Sequence, residues 1–259
     1  MLRPCLLGLL IVGMVGCGTS RESPPARASL RVAAASDLQA ALPVVLERFR
    51  KAHGIEVTPV FGSSGQLAQQ IEQGAPYDIF LSANRAFVER LAAKGAVKPD
   101  SVAPYAQGLL VLVVSRKAGV SVGGLPDLAK PEVKRIAIAN PKLAPYGLAA
   151  TQLLERSELS EVTPKVVQAE SVRQALQFVQ TGNAEVGLVA HSVADVPEVE
   201  RIELDRSHYD AIVQSLGIVS RTEHPDAAKK FADFLLGDEG QELFRSFGFV
   251  PMEGGRKPR

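Results

Sequence analysis

Apolar positions along this chain follow two alternating rhythms. Continuous apolar runs too short for a helix, such as Leu30–Ala35 and Gly108–Ser115, predict buried strands. Between them the spacing changes to three and four. Leu38, Ala41, Leu42, Val45, Leu46 and Phe49 predict a helix over Asp37–His53, stopped by Gly54. The same reading predicts strands at Ile55–Val60, Asp78–Ser82, Arg135–Ala139, Lys165–Ala169, Glu185–Val189 and Ile212–Ser220. It predicts helices over Gln66–Gln73, Arg85–Lys94, Tyr146–Ser157, Val172–Gln180, Pro225–Leu235 and Glu239–Phe247. No repeat of fixed period is visible. Recurring strand–helix–strand units imply an α/β protein with mostly parallel sheets flanked by helices on both faces.

The N-terminus departs from this alternation. Arg3 precedes an apolar stretch, Leu6–Val15, that is half the length a membrane span requires. It ends at Met14-Val15-Gly16-Cys17, small residues directly before a cysteine. This resembles a bacterial lipobox, in which cleavage exposes the cysteine and a lipid is attached to its sulfur. Residues 1–16 are therefore expected to be a lipoprotein signal peptide, with Cys17 the attachment point. Residues 17–29 are polar and Pro-bearing and read as a flexible tether; the tail from Glu253 reads as frayed. Export with a lipid anchor places the protein on the outer side of a membrane, periplasmic or at the cell surface.

Composition then narrows the function. The 259 residues carry 29 Lys and Arg against 28 Asp and Glu, so no basic face supports nucleic-acid binding. Loss of residues 1–16 removes Arg3 and no acid, which balances the mature charge, and it removes Cys5 as well. Cys17 is then the one thiol left, so neither a disulfide framework nor a cysteine-rich metal site is expected.

In parallel α/β sheets, ligands bind beyond the carboxyl ends of strands, where helices begin. Four such junctions here carry a hydroxyl, a glycine or both: Ser36-Asp37, Gly62-Ser63-Ser64-Gly65, Pro145-Tyr146-Gly147 and Ser171-Val172. Helix starts offer free N–H groups and partial positive charge, which suits an anion without any cationic side chain. Ser at a helix start is also the common cap, so one junction alone is explained by capping. Two hydroxyls between two glycines exceed that need.

Five segments in order carry a family resemblance. They are Ala33-Ala-Ala-Ser36-Asp-Leu, Phe61-Gly-Ser-Ser-Gly65-Gln-Leu, Gly74-Ala-Pro-Tyr-Asp78-Ile-Phe-Leu-Ser82-Ala, Asn140-Pro-Lys-Leu-Ala-Pro-Tyr146-Gly and Glu185-Val-Gly-Leu-Val189-Ala. Over about Leu30 to Val250 the chain resembles the periplasmic molybdate-binding proteins of ABC transporters. That resemblance implies a two-lobed type II periplasmic-binding-protein fold with the ligand in the interlobe cleft. It implies one lobe from residues 30–107 plus 216–259 and another from 108–215, the chain crossing near Gly108 and returning near Ser215. The family's oxyanion contacts fall on Ser36 and Ser64 through their hydroxyls, and on Tyr146 and Val172 through their backbone N–H groups. Some members add a tyrosine hydroxyl after the Gly-Leu-Val-like strand; that position is Ala190 here and supplies none. The implied role is a non-enzymatic monomeric receptor, without cofactor, that delivers molybdate, and also tungstate, to a membrane permease. Asp37, the one acid beside the site, would repel a dianion and is expected in the first helical turn, facing the helix dipole or solvent.

Other classes fit less well. A serine hydrolase needs Gly-x-Ser-x-Gly, and Gly62–Gly65 is one residue too short. His53, His191, His208 and His224 follow no triad or metal-ligand spacing. Absence of Trp counts against a sugar receptor that stacks rings. A receptor for sulfate, thiosulfate or phosphate remains the principal alternative.

Overall fold

The computed structural model describes residues 29–252. The signal peptide, Cys17, the tether up to residue 28 and the tail from Glu253 lie outside the described residues.

The first lobe begins with β1 (Ser29–Ala35), whose last turn of chain, Ser36–Leu38, winds as a short 3-10 helix. Helix α1 then runs Leu42–His53 and not from Asp37 as the periodicity suggested. Pro43 fits the first turn of α1, where no N–H partner is needed. Gly54 does end it, left-handed at φ +67° with its amide on the Arg50 carbonyl at 2.8 Å. Next come β2 (Glu56–Gly62), α2 (Ser64–Glu72), β3 (Ile79–Ser82), α3 (Arg85–Ala93) and β4 (Ala103–Gly108). The second lobe holds β5 (Leu110–Ser115), β6 (Ile136–Ala139), α4 (Pro145–Arg156), β7 (Val166–Ala169), α5 (Val172–Thr181), β8 (Val186–Ala190) and β9 (Val199–Glu203). The chain then returns as β10 (Ile212–Ile218), followed by α6 (Pro225–Leu236) and α7 (Asp238–Ser246).

The first sheet has strand order β2-β1-β3-β10-β4 and the second β7-β6-β8-β5-β9. In each, four strands run one way and one is reversed: β10 in the first, β5 in the second. Both reversed strands lie next to a crossing between lobes. The first crossing is at Leu109, between β4 and β5, and the return lies between β9 and β10. Strand pairing assigns β10 to the first sheet from Ile212 onward, with Ile212 opposite Gly108, so the return precedes Ser215.

Two strands left no apolar run to read. β4 carries Pro104 and Gln107 and pairs with β10 through a register shift at Gln214/Ser215. β9 is an edge strand, Val199-Glu200-Arg201-Ile202-Glu203, in which three of five residues are charged, charge being how an exposed edge avoids further pairing.

The core explains why β1 reads as an unbroken apolar run. Leu30, Val32 and Ala34 pack toward α1, α6 and α7, while Ala33 packs with Leu67, Ile71, Phe80 and Leu91 on the opposite face. A strand covered on both faces has no polar side to show. A separate cluster around Leu110–Val114, Ile136–Ala139 and Val186–Ala190 fills the second lobe, and Ala35 and Ala83 of the first lobe join it across the cleft.

Candidate functional site

The helix starts singled out in the sequence converge on one cavity. Ala35, Ser36, Asp37, Gly62, Ser63, Ser64 and Ala83 line it from the first lobe; Ala144, Pro145, Tyr146 and Val172 line it from the second. All four residues expected to contact an oxyanion, Ser36, Ser64, Tyr146 and Val172, are therefore brought together. Each is almost fully buried.

Local geometry decides which groups are free to donate. Ser64 opens α2, and its Oγ accepts the Ala83 amide at 3.0 Å, so the hydroxyl proton remains to donate elsewhere. Its neighbour Ser63 is the N-cap, and its hydroxyl donates to Gln66 Oε1 at 2.8 Å. The two serines thus divide the work: Ser63 serves the helix, and Ser64 keeps a donor for the cavity. Pro145 begins α4 and has no N–H, which makes the Tyr146 amide the first backbone donor of that helix. Val172 begins α5; its cap Ser171 accepts the Gln174 amide at 3.3 Å and leaves the Val172 amide without an intrahelical partner. Gly147 lets α4 sit down on the end of β6, because a Cβ there would collide with the Ala139 carbonyl.

Hydrogen bonds hold the lobes together around the cavity, among them a contact from Gln214 Nε2 to the Tyr146 hydroxyl at 3.4 Å. The Gly65 amide donates to the Leu143 carbonyl at 2.8 Å. The Ser192 hydroxyl donates to the Asp37 carbonyl at 2.8 Å, and the Tyr146 hydroxyl donates to Asp37 Oδ2 at 3.0 Å. The structure is that of a closed cleft.

Asp37 departs from expectation in one respect. It sits in the first turn of a helix, where the Asp37 and Leu38 amides favour its carboxylate, but it points into the cleft and not to solvent, the residue being 1% exposed. The chain turns after Ser36 as a separate 3-10 turn, which directs the side chain inward under the cavity instead of along a continuous α1. Oδ2 accepts Tyr146 and also Gln214 Nε2, the latter at 2.7 Å, while Oδ1 has no partner among the described residues. Burial pushes the carboxyl up to about 6, against the hydrogen bonds from Tyr146 and Gln214 that pull it down.

Sequence reasoning missed Gln214 and Ser192. Gln214 and Ser215 interrupt the apolar strand β10 and are fully buried; a polar pair inside such a run was the available signal. Tyr105 donates to Gln214 Oε1 at 3.3 Å, extending the network into β4. Ser192 gave no signal beyond following β8. Ala190, at the end of β8, is fully buried and offers no side-chain donor. His191 does not line the cavity; its ring lies against Gly248, and its Nε2 is 3.5 Å from Glu203. Among the described residues no group of His, Cys, Asp and Glu is placed to hold a metal ion.

Comparison with known proteins agrees with this geometry. Residues 30–250 match the bacterial extracellular solute-binding protein family. The molybdate-binding protein ModA of Rhodobacter capsulatus is 37% identical over 78% of this chain and 80% of its own length. ModA of Azotobacter vinelandii is 33% identical over 94% of this chain and 96% of its own. The solved structure of the Azotobacter vinelandii periplasmic molybdate-binding protein superposes with a TM-score of 0.80 at 31% identity, covering 86% of this chain and all of that one. A putative ABC transporter substrate-binding lipoprotein of Bacillus subtilis, YvgL, is 32% identical over 92% of this chain and 93% of its own length. Fold, cavity and sequence agree: the chain belongs to the bacterial extracellular solute-binding protein family.

Proposed function

We propose that this protein is the substrate-binding component of an ABC importer, capturing molybdate, and also tungstate, and delivering it to a membrane permease. The observation that carries this reading is a closed cavity whose donors are hydroxyls and helix-start amides from both lobes, with no cationic side chain in its wall. A fully ionised tetrahedral dianion has only acceptors to offer and is satisfied by such donors. Helix starts supply the compensating positive potential without long flexible side chains. The names of the Azotobacter and Rhodobacter relatives support molybdate as the anion.

Ser36 and Ser64 would bind through their hydroxyls, and Tyr146 and Val172 through their backbone N–H groups. Donors from both lobes favour the closed form, so anion binding shifts the population toward it. The division into lobes of residues 30–107 plus 216–259 and 108–215 belongs to this reading, with the pairing of β4 and β10 at Gly108 and Ile212 placing the return a few residues earlier than Ser215. So does a non-enzymatic, monomeric receptor without a cofactor, tethered outside the membrane by a lipid on Cys17 after loss of residues 1–16. The word lipoprotein in the name of the Bacillus subtilis relative supports the anchor.

Titration calorimetry with molybdate, tungstate, sulfate and phosphate tests the ligand. The expected result is micromolar or tighter binding of the first two and far weaker binding of sulfate. Tight phosphate binding, or no oxyanion binding, would overturn the reading.

A further inference from the structure

The cavity wall contains one carboxyl group and nothing positively charged to neutralise it. We propose that the site takes up one proton from solvent along with its dianion, and that Asp37 Oδ1 is the atom that receives it. This rests on the oxyanion-receptor reading and goes beyond it, because it makes the bound ligand a dianion plus a proton.

The geometry of the carboxyl singles out the atom. Oδ2 already accepts Tyr146 and Gln214, and a proton there would displace one of them. Oδ1 is buried with no hydrogen-bond partner among the described residues, and so is the acceptor left to take a proton.

Among the described residues no cationic side chain bonds the carboxyl. From α5, which packs against the same turn, Arg173 donates instead to Gln180 Oε1, and the Asp37 and Leu38 amides give the carboxylate only neutral dipoles. From α4 and β4 the facing titratable groups are Tyr146 and Tyr105, both kept neutral by burial and by the Asp37 charge itself. From β10 the neighbour is the neutral Gln214. From the turn after β8, Ser192 bonds the Asp37 carbonyl, and the adjacent His191 turns to Glu203, its ionisation lowered by burial. On its own turn Asp37 is flanked by Ser36 and Leu38.

A dianion entering this buried cavity beside an ionised carboxylate meets strong like-charge repulsion in low dielectric. Protonating the carboxyl abolishes that repulsion. With the carboxyl already raised to about 6, protonation at pH 7 reduces affinity only about tenfold, a smaller effect than the repulsion it removes. No bond other than O–H forms, and the proton comes from water or buffer. The protonated Oδ1 also becomes a donor where the ionised one could only repel.

The test uses the intact mature protein and molybdate between pH 6.5 and 8.5. Calorimetry in buffers of different ionisation heat reads protons taken up per anion. The expected result at pH 7.5 is an uptake of more than half a proton, with Kd rising up to roughly tenfold per pH unit. Asp37→Asn, which mimics the protonated carboxyl, should abolish both the uptake and the slope and bind at least as tightly at pH 8.5. Should that variant not fold, Tyr146→Phe removes one of the bonds that hold Asp37 ionised and should move the onset of the slope to higher pH. Tight molybdate binding with no proton uptake and a flat profile overturns this proposal alone. Uptake that persists in Asp37→Asn also overturns it. Failure of every tetrahedral oxyanion to bind at any pH removes the receptor reading, and this proposal with it.

Discussion

The amide of Gly65 and the carbonyl of Leu143, on opposite lobes, meet at 2.8 Å in the closed cleft. A Cβ at position 65 would stand 2.8 Å from that same oxygen and 2.9 Å from the Leu143 Cα. Glycine is required there by the approach of the other lobe and not by the helix. Gly65→Ala should therefore obstruct closure while leaving α2 intact, since alanine is the better helix former. Anion affinity should fall by about 1–3 kcal/mol, the scale of a lost interlobe contact plus local overpacking. Calorimetry reads the affinity, and an unchanged thermal midpoint without ligand shows that the lobes themselves still fold.

The two adjacent serines should separate cleanly. Ser64→Ala removes a donor from the cavity and should weaken binding by about 1–3 kcal/mol. It also strips the Ala83 amide of its acceptor, so stability should drop by about 1 kcal/mol. Ser63→Ala removes only the bond to Gln66 and should leave the affinity unchanged. Equal affinity losses in both variants would place the anion contact elsewhere.

Asp37 should make stability depend on pH in the direction opposite to a salt-bridged carboxylate. Its folded value, about 6, lies above the ordinary 3.8, so the unfolded chain releases its proton first. Stability is highest, as far as this group is concerned, below about pH 4 and falls as pH rises to about 6, so that about 3 kcal/mol has been lost at neutral pH. Asp37→Asn should accordingly stabilise the ligand-free protein at pH 8 by up to that amount and much less at pH 4. Urea unfolding at the two pH values checks the difference.

The lipid anchor has its own test. Cys17→Ser should release soluble protein from the membrane fraction, and mass spectrometry of the wild-type chain should show residues 1–16 removed and an acylated Cys17. Continued membrane association of the variant would reject the anchor.

Much of this architecture was legible because each signal was local. Apolar runs covered on both faces gave the central strands, and Gly54 and Pro145 marked helix ends that the structure retains. β4 and β9 were not legible, since a proline-bearing strand and a charged edge strand carry no apolar rhythm. The junctions that hold Ser36, Ser64, Tyr146 and Val172 stood out because helix starts have a chemistry of their own; the family resemblance picked those residues within them, and the structure brings all four to one cavity. The direction of Asp37 was not, because a break of three residues between Leu38 and Leu42 turns the side chain inward, and periodicity does not distinguish an interrupted helix from a continuous one. Gln214 and Ser192 act across sequence separations of more than 150 residues, where no spacing rule reaches.

The pairing of Ile212 with Gly108 sets the mechanics of the whole molecule. Both passages between lobes leave from neighbouring strands, β4 and β10, at one edge of the first sheet. Two attachments side by side act as one hinge and not as two separate tethers. Any parting of the lobes would then swing about that edge, opening the cleft at its far side.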